Sequence, residues 1–337
     1  MGDERKHLLG IIDRFANTPM LVLGDIILDH YVWGTVSRIS PEAPVVVVHV
    51  TKENECPGGS GNVANNLVAL GAKVSLCGVV GDDSSGRAMI KQFDELRIDA
   101  SSVLVDRSRC TTVKTRVIAQ AQQVVRVDRE DTHPLAKAYL DGLCGALSSH
   151  LSSVKGIVVS DYAKGVVTPQ LFQVITNAYA EGKLGYGKVP VIVDPKPPNF
   201  DVYNCATVVK PNRTEAEQAS GLKIVDRKSA IQAARKLRER WNAEMILVTL
   251  GELGMVLVGK VGEREEIVEV PTVARDVYDV SGAGDTVSAV FSLTLAVGGT
   301  ATDAAKLANF AAGIVVAEVG TVAVTAEELR KVVKEGF

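Results

Sequence analysis

The sequence predicts an α/β fold with a mainly parallel sheet covered by helices on both faces. Two observations carry this: short β-branched apolar runs, each followed by turn residues, and helical patterns lying between them along most of the chain. A third observation, two stretches with strand character and no helix between neighbours, adds a small β-sheet beside the main one.

In order, Met20-Leu21-Val22-Leu23-Gly24 reads as a buried strand, as do 73–80, 156–160, 189–193, 207–209 and 245–249. Helical patterns fill 61–70, 85–96, 134–149, 169–180 and 227–241. Residues 266–270 are strand-like, and 287–295 form an apolar helix. The rhythm breaks at about 30–52, which holds the run Val45-Val46-Val47-Val48, and at about 108–129, where apolar and polar residues alternate. Alternation with charge on one face predicts a half-exposed antiparallel sheet, edge strands of the main sheet being the alternative. The valine run is too apolar for a free edge. It is expected either to pack on the main sheet or to pair with a second copy as a homodimer. With no repeat and no low-complexity linker, residues 1–337 read as one domain with a β appendage.

Apolar residues at 46% and charged residues at 23% are ordinary for a globular protein. A net charge of −3 gives no basic face of the kind nucleic-acid binders need. The five cysteines are odd in number and without C-x-x-C spacing, which favours reduced thiols and a cytoplasmic protein. The apolar stretch near the N-terminus is too short for a signal peptide, and no apolar run, 311–319 included, reaches the roughly 18 residues of a membrane span.

Asp279-Val280-Ser281-Gly282-Ala283-Gly284-Asp285-Thr286 is the most informative segment. Small residues at 281–284 let backbone N–H groups turn toward one point. The helix that follows adds its unpaired amides and positive dipole end, which suits an anion. Asp285 stands beside that anion, as a proton acceptor for an attacking hydroxyl or simply as a helix cap. Pro57-Gly58-Gly59-Ser60-Gly61-Asn62-Val63-Ala64 imitates a dinucleotide fingerprint, but the residues before it are polar rather than a buried strand. Its glycines and Asn62 suit a polyhydroxylated ligand or a plain helix start. Asn212 and Glu215 can face the same way and offer oxygens for Mg²⁺ held through water, or form a capping box. No G-x-x-x-x-G-K-[ST] occurs, the glycine–lysine pairs at 182, 187 and 259 lacking its context. Neither H-E-x-x-H nor G-x-S-x-G is present.

Gly58-Gly59 before a helix, Gly81-Asp82-Asp83-Ser84-Ser85-Gly86, Asn212-Arg213-Thr214-Glu215 and the segment ending in Gly282-Ala283-Gly284-Asp285 fall in the order and spacing of one family. From about residue 18 to 330 the chain resembles the ribokinase-like carbohydrate kinases, with Gly61 where many members have Ala. Gly24-Asp25 to Asp29, Ser37-Arg38-Ile39-Ser40-Pro41-Glu42-Ala43-Pro44-Val45, Ser160-Asp161-Tyr162-Ala163-Lys164-Gly165 and Asp194-Pro195-Lys196 look like the heptose 7-phosphate kinases within it. In bacteria that reaction serves ADP-heptose synthesis for lipopolysaccharide. Such kinases are often fused to an adenylyltransferase, for which the stretch after Asp285 is too short.

The resemblance implies a ribokinase-like three-layer sandwich with a β lid, ATP·Mg²⁺ as donor, and phosphorylation of O1 of D-glycero-β-D-manno-heptose 7-phosphate. Asp285 would be the base, and the amides of Ser281, Gly282, Ala283, Gly284 and Asp285 the anion hole. Asn212, Arg213, Thr214 and Glu215 would lie by the phosphates and metal. Thr249, Gly251 and Gly254 would border the nucleotide, with Asn309 near the purine. Asp29, Gly58, Gly59 and Asn62 would hold the sugar. Arg38, Lys114 and Arg116, on polar-alternating strands of the lid, are candidates for the substrate's own phosphate. In relatives such lids pair to make a dimer. A kinase of another sugar, sugar phosphate or nucleoside and a non-catalytic nucleotide sensor are the alternatives.

Overall fold

The computed structural model describes residues 2–120, 122–182, 189–204, 206–261, 264–274, 278–318 and 320–336. Cys205, Gly187 and Val319 lie outside them.

The chain opens with α1 (Gly2–Ile12) and β1 (Pro19–Gly24). Strands β2 (Ile26–Ile39) and β3 (Val46–Gly59) then leave and return before α2 (Ser60–Ala69). Next come β4 (Lys73–Gly81), α3 (Ser84–Glu95), β5 (Asp99–Asp106), β6 (Thr112–Ala119) and β7 (Gln122–Arg129). The second half runs α4 (Lys137–His150), β8 (Gly156–Ser160), α5 (Pro169–Ala180), β9 (Val191–Asp194), β10 (Val208–Val209), α6 (Arg213–Ser220), α7 (Arg227–Arg240) and β11 (Met245–Thr249). It closes with β12 (Met255–Val261), β13 (Arg264–Val270), α8 (Ala283–Ala296), α9 (Ala301–Val315) and α10 (Ala326–Glu335).

Among the described residues a nine-stranded sheet has the order β13-β12-β11-β10-β9-β8-β1-β4-β5. It is parallel from β11 to β5, and β12 and β13 are added antiparallel at one edge. Alternate residues of β1 enter different cores. Met20 and Val22 pack with α2, α8 and α9, whereas Leu21 and Leu23 pack with α4, α5 and α7. The result is three layers, helix–sheet–helix, as expected. From β1 the order runs one way to β4 and β5 and the other way to β8 and beyond, so the topology switches between β1 and β8. In open α/β sheets that crevice, outside the carboxyl ends of the strands, is where ligands bind.

Two element limits move inward for local reasons. The ninth strand starts at Val191, because Pro190 has no N–H and its carbonyl accepts from Ile157. Helix α4 starts at Lys137 rather than 134, because the preceding residues are tied down as an extended segment. Arg109 bonds the His133 carbonyl, and Asp131 accepts from the Cys110 amide.

The second sheet has the order β3-β2-β6-β7. The antiparallel expectation needs correction, since its central pair, β2 and β6, is parallel. Both strands enter this sheet from the same end, directly after segments belonging to the main sheet, so they run together. The base of this sheet joins the main core through Ile26 and Leu28, whereas toward its tip Val46 is 45% and Val127 57% exposed, as is Val45 at 56% just before β3, so these valines do not pack on the main sheet. Cys56, Cys77, Cys110 and Cys144 are free thiols. Among the described residues no helix is long and apolar enough to cross a membrane.

Candidate active site

The polar groups gather where the topology switches. Asp25 follows β1, Asp161 and Tyr162 follow β8, Asp194 ends β9, Lys210 and Asn212 follow β10, and Thr249 ends β11. All are at carboxyl ends of parallel strands. Helix α8 points its N-terminus at the same place.

Helix α8 starts at Gly282, with φ 78°, and has no side-chain cap. A Cβ on Gly282 would stand 2.9 Å from Asn62 Nδ2, so this turn needs glycine for conformation and for space. Asp285, at the third helical position, is only 4% exposed. Its carboxylate does not turn back to cap the helix. Asn62 donates to Oδ2 at 2.8 Å and the Tyr162 hydroxyl to Oδ1 at 2.9 Å. Burial, reinforced by the charge of Asp194, pushes its pKa up to about 7, against the pull of the Asn62 and Tyr162 hydrogen bonds and of Lys210. Lys210 itself pairs with Asp194 at 2.9 Å.

The expected anion hole is narrower than the whole segment. The Ser281 amide already bonds Asp279 Oδ1, and the Ala283 amide bonds the Val280 carbonyl at 3.3 Å. The amides of Gly282, Gly284 and Asp285 have no intrahelical acceptor and remain to meet an anion.

Helix α6 starts differently. Asn212 Oδ1 accepts from the Glu215 amide at 2.9 Å and Glu215 Oε2 from the Asn212 amide at 2.9 Å, a complete capping box. Glu215 Oε1 is held by Lys196 at 2.6 Å. Arg213 bonds the Leu250 carbonyl. Asn212, Arg213, Thr214, Thr249, Gly251 and Glu252 line a cavity of about 460 Å³. A second, of about 570 Å³, shares Thr249, Gly251 and Glu252 with it and runs past Gly254, Ala283 and Gly284 to Asn309. The residues expected around a nucleotide thus border one continuous cleft that ends at the start of α8. Asn309 also has a structural bond, donating to the Pro271 carbonyl at 2.8 Å.

On the other side of Asp285 stand the expected sugar residues. Gly58 and Gly59 end β3, and a Cβ on Gly58 would collide with the Asp29 carboxylate. Asp29 is buried and receives Arg116 at 2.6 Å. Burial nevertheless holds its pKa above the ordinary value. Lys114 reaches Asp128 and Glu130, and Lys164 reaches the other oxygen of Glu130 at 2.8 Å. Arg38 is not brought to this cluster within one chain. It is exposed and lies nine residues along β2 from Asp29, roughly 30 Å at the usual rise of a strand.

Sequence reasoning missed Tyr162, Asp194, Lys210 and Lys164 as site residues. Tyr162, Lys164 and Asp194 stood only inside segments that resemble the heptose 7-phosphate kinases, with no role given to them, and it is their position at the carboxyl ends of parallel strands that supplies one.

Comparison with known proteins gives three findings. Residues 18–328 match the pfkB family of carbohydrate kinases. The bifunctional protein HldE of Geobacter metallireducens is 44% identical over 326 residues, covering 97% of this chain and 65% of that protein. The Helicobacter pylori (strain J99) protein of the same name is 43% identical over 317 residues, covering 94% and 66%. The chain therefore spans about two-thirds of the length of the curated relatives it matches. Among solved structures, phosphofructokinase-2 of Escherichia coli superposes with TM-score 0.77 at 18% identity, covering 94% of this chain and 98% of that one. Arabidopsis thaliana ribokinase with ribose and ATP superposes at 0.71 with 19% identity, covering 95% and 99%. At such identities the likeness speaks for the fold.

Proposed function

The chain belongs to the pfkB family of carbohydrate kinases, and from that premise we propose that it transfers the γ-phosphoryl group of ATP to O1 of D-glycero-β-D-manno-heptose 7-phosphate. The product would be the 1,7-bisphosphate, made in the cytoplasm for ADP-heptose and lipopolysaccharide. The observation that carries phosphoryl transfer is Asp285: a buried carboxylate with a pKa near 7 at an uncapped helix start, at the end of a cleft large enough for a nucleotide. The sugar hydroxyl would give its proton to Asp285 as its oxygen bonds phosphorus and the bond to the ADP oxygen breaks. The amides of Gly284 and Asp285 would hold the phosphoryl oxygens without reorganising.

Among the described residues no three metal-ligating side chains converge, and both Glu215 oxygens already have protein partners. These groups fit water-mediated contact with a Mg²⁺ carried by the nucleotide, as expected of Asn212 and Glu215, and do not fit direct coordination. When bound, Mg²⁺ would neutralise charge on the phosphates.

The choice of a phosphorylated sugar is supported by the relatives' name and by three half-buried cations at the base of the small sheet, Lys114, Arg116 and Lys164. A sugar phosphate entering there would replace Asp128, Glu130 and Asp29 as their counter-charge. Lys164 takes the place in this trio first given to Arg38. The small sheet would act as a lid, and its exposed Val45, Val46, Val50, Val124, Val125 and Val127 would pair two copies into a homodimer. Light scattering that finds a monomer at micromolar concentration would remove the dimer.

ADP release against a panel of heptose 7-phosphate, heptose, fructose 6-phosphate, ribose and nucleosides tests the substrate. Turnover is expected with heptose 7-phosphate far above the rest. Equal turnover of heptose would remove the phosphate-binding role of the three cations, and ATP binding without turnover of any acceptor would favour a nucleotide sensor.

A further inference from the structure

We propose that Tyr162 is a positioning residue for the transfer: its hydroxyl, carried on a loop clamped by Asp25, orients the Asp285 carboxylate and favours its ionised form. The inference rests on the reading of Asp285 as the base and goes beyond it.

A carboxylate on a short side chain can rotate about its last bond. Here two donors from separate elements take one oxygen each, Asn62 from α2 and Tyr162 from the loop after β8, and together they fix the plane of the group. The acceptor hydroxyl meets a carboxylate already aimed, with a lone pair left on each oxygen. The phenol remains a donor, since burial and the charge of Asp285 hold its pKa above the ordinary value.

The loop has no regular structure, so something else must fix it. The buried Asp25 carboxylate accepts the backbone N–H groups of Tyr162 at 2.8 Å, Lys164 at 3.1 Å and Val166 at 3.2 Å. Asp161 takes the amide of Ala163 while Tyr203 and Asn199 hold its far oxygen. Ala163, the residue next to Tyr162, sits at φ 56°, a conformation that L side chains rarely adopt. Strain of this kind persists where the surroundings over-determine it, and it gathers at functional sites. On the ring's face, Lys196 lies 5.5 Å from the centroid, so the ring is held as well as the backbone. Among the described residues the charges acting most strongly on Asp285 are Asp194, which ends β9, and Lys210 after β10; they oppose one another in sign and pair directly. Asn62 and Tyr162 are the neutral donors that tilt this balance toward the carboxylate.

The test is Tyr162→Phe, which keeps the ring and its packing. In full-length protein labelled with ¹³C at aspartate carboxyls, the resonance lost in Asp285→Asn identifies Asp285. Its midpoint is expected to rise in Tyr162→Phe by roughly one pH unit, the scale of one hydrogen bond to a charged group. The acid limb of kcat with the best sugar acceptor should move the same way, so that the variant loses roughly tenfold at pH 6 and much less at pH 8.5. An unchanged Asp285 midpoint, or a loss of rate equal at every pH, would overturn the proposal. The titration needs no substrate. Failure of the kinase reading would show instead as wild-type protein that releases no ADP with any sugar.

Discussion

Helices α6 and α8 both begin beside the cleft with an acidic residue at the third position, and they use it in opposite ways. In α6, Glu215 reaches back to the Asn212 amide while Asn212 caps Glu215, so the helix end is satisfied from within. In α8, Asp285 turns away to Asn62 and Tyr162, and the start at Gly282 has no side-chain cap. A satisfied helix end is structure. One left open, with its carboxylate held by residues 223 and 123 positions away in the chain, keeps amides free to meet an anion. Local sequence suggests a cap at both places, and only long-range contacts separate them.

The largest effect is expected from Asp285→Asn. Asparagine matches the size but cannot act as a carboxylate base, so kcat should fall by roughly 10²–10⁴. The stability change should have the opposite sign. A carboxyl whose pKa is raised from the ordinary 3.8 to about 7 by folding binds more protons folded than unfolded between those values. Its contribution to stability is therefore lost as pH rises through that window. Asp285→Asn should then melt higher than wild type at pH 8, and the gain should vanish near pH 4. Calorimetry at the two pH values checks this, and a variant that melts lower at pH 8 would mean that the hydrogen bonds from Asn62 and Tyr162 to the carboxylate outweigh the cost of its burial.

Gly282→Ala should be next. A side chain at φ 78° is strained by about 1–2 kcal/mol, and its Cβ would press on Asn62 Nδ2. Asn62 holds Asp285, so kcat should fall together with melting temperature. An alanine variant with full activity would show that the orientation of Asp285 does not depend on this turn.

Asn212→Ala should cost about 1 kcal/mol of stability, the usual worth of an N-cap. The KM for ATP should rise only a few-fold, as α6 frays beside the cleft. A loss of kcat as large as that of Asp285→Asn, with stability unchanged, would erase the distinction between the two helix ends.

The smallest effect belongs to Arg38→Ala. Within one chain Arg38 is exposed and far along β2, so KM for the sugar phosphate should change less than in Lys164→Ala. A larger rise for Arg38→Ala would mean that the tip of a second copy's small sheet reaches the sugar.

Much of this architecture was legible because buried parallel strands are nearly pure β-branched runs, as in Ile157-Val158-Val159, and because Pro169 after a capping Thr168 marks the start of α5. The strand β5 was not, since an edge strand reading Asp-Ala-Ser-Ser-Val-Leu-Val-Asp is half-exposed and carries serines where alternation should show. The parallel pairing of β2 with β6 was hidden as well, since alternation reports a face and not a direction. At the site, Asp285 was legible from its glycines, whereas Tyr162 stood in a resembling segment without a role and Lys210 had none. Their role comes from strand order, which places the ends of β8 and β10 beside α8.

The most direct test of Asp285 as the base is the pH dependence of single-turnover phosphoryl transfer, measured in wild type and Asp285→Asn with a sugar phosphate that wild type accepts. The account predicts a wild-type rate that climbs with pH to a plateau above about 7, and an Asn variant that is slower by at least 10²-fold and has lost that limb. An Asn variant that keeps more than about a tenth of the wild-type rate, with the limb intact, would contradict it and leave Asp285 as a structural acceptor for Asn62 and Tyr162.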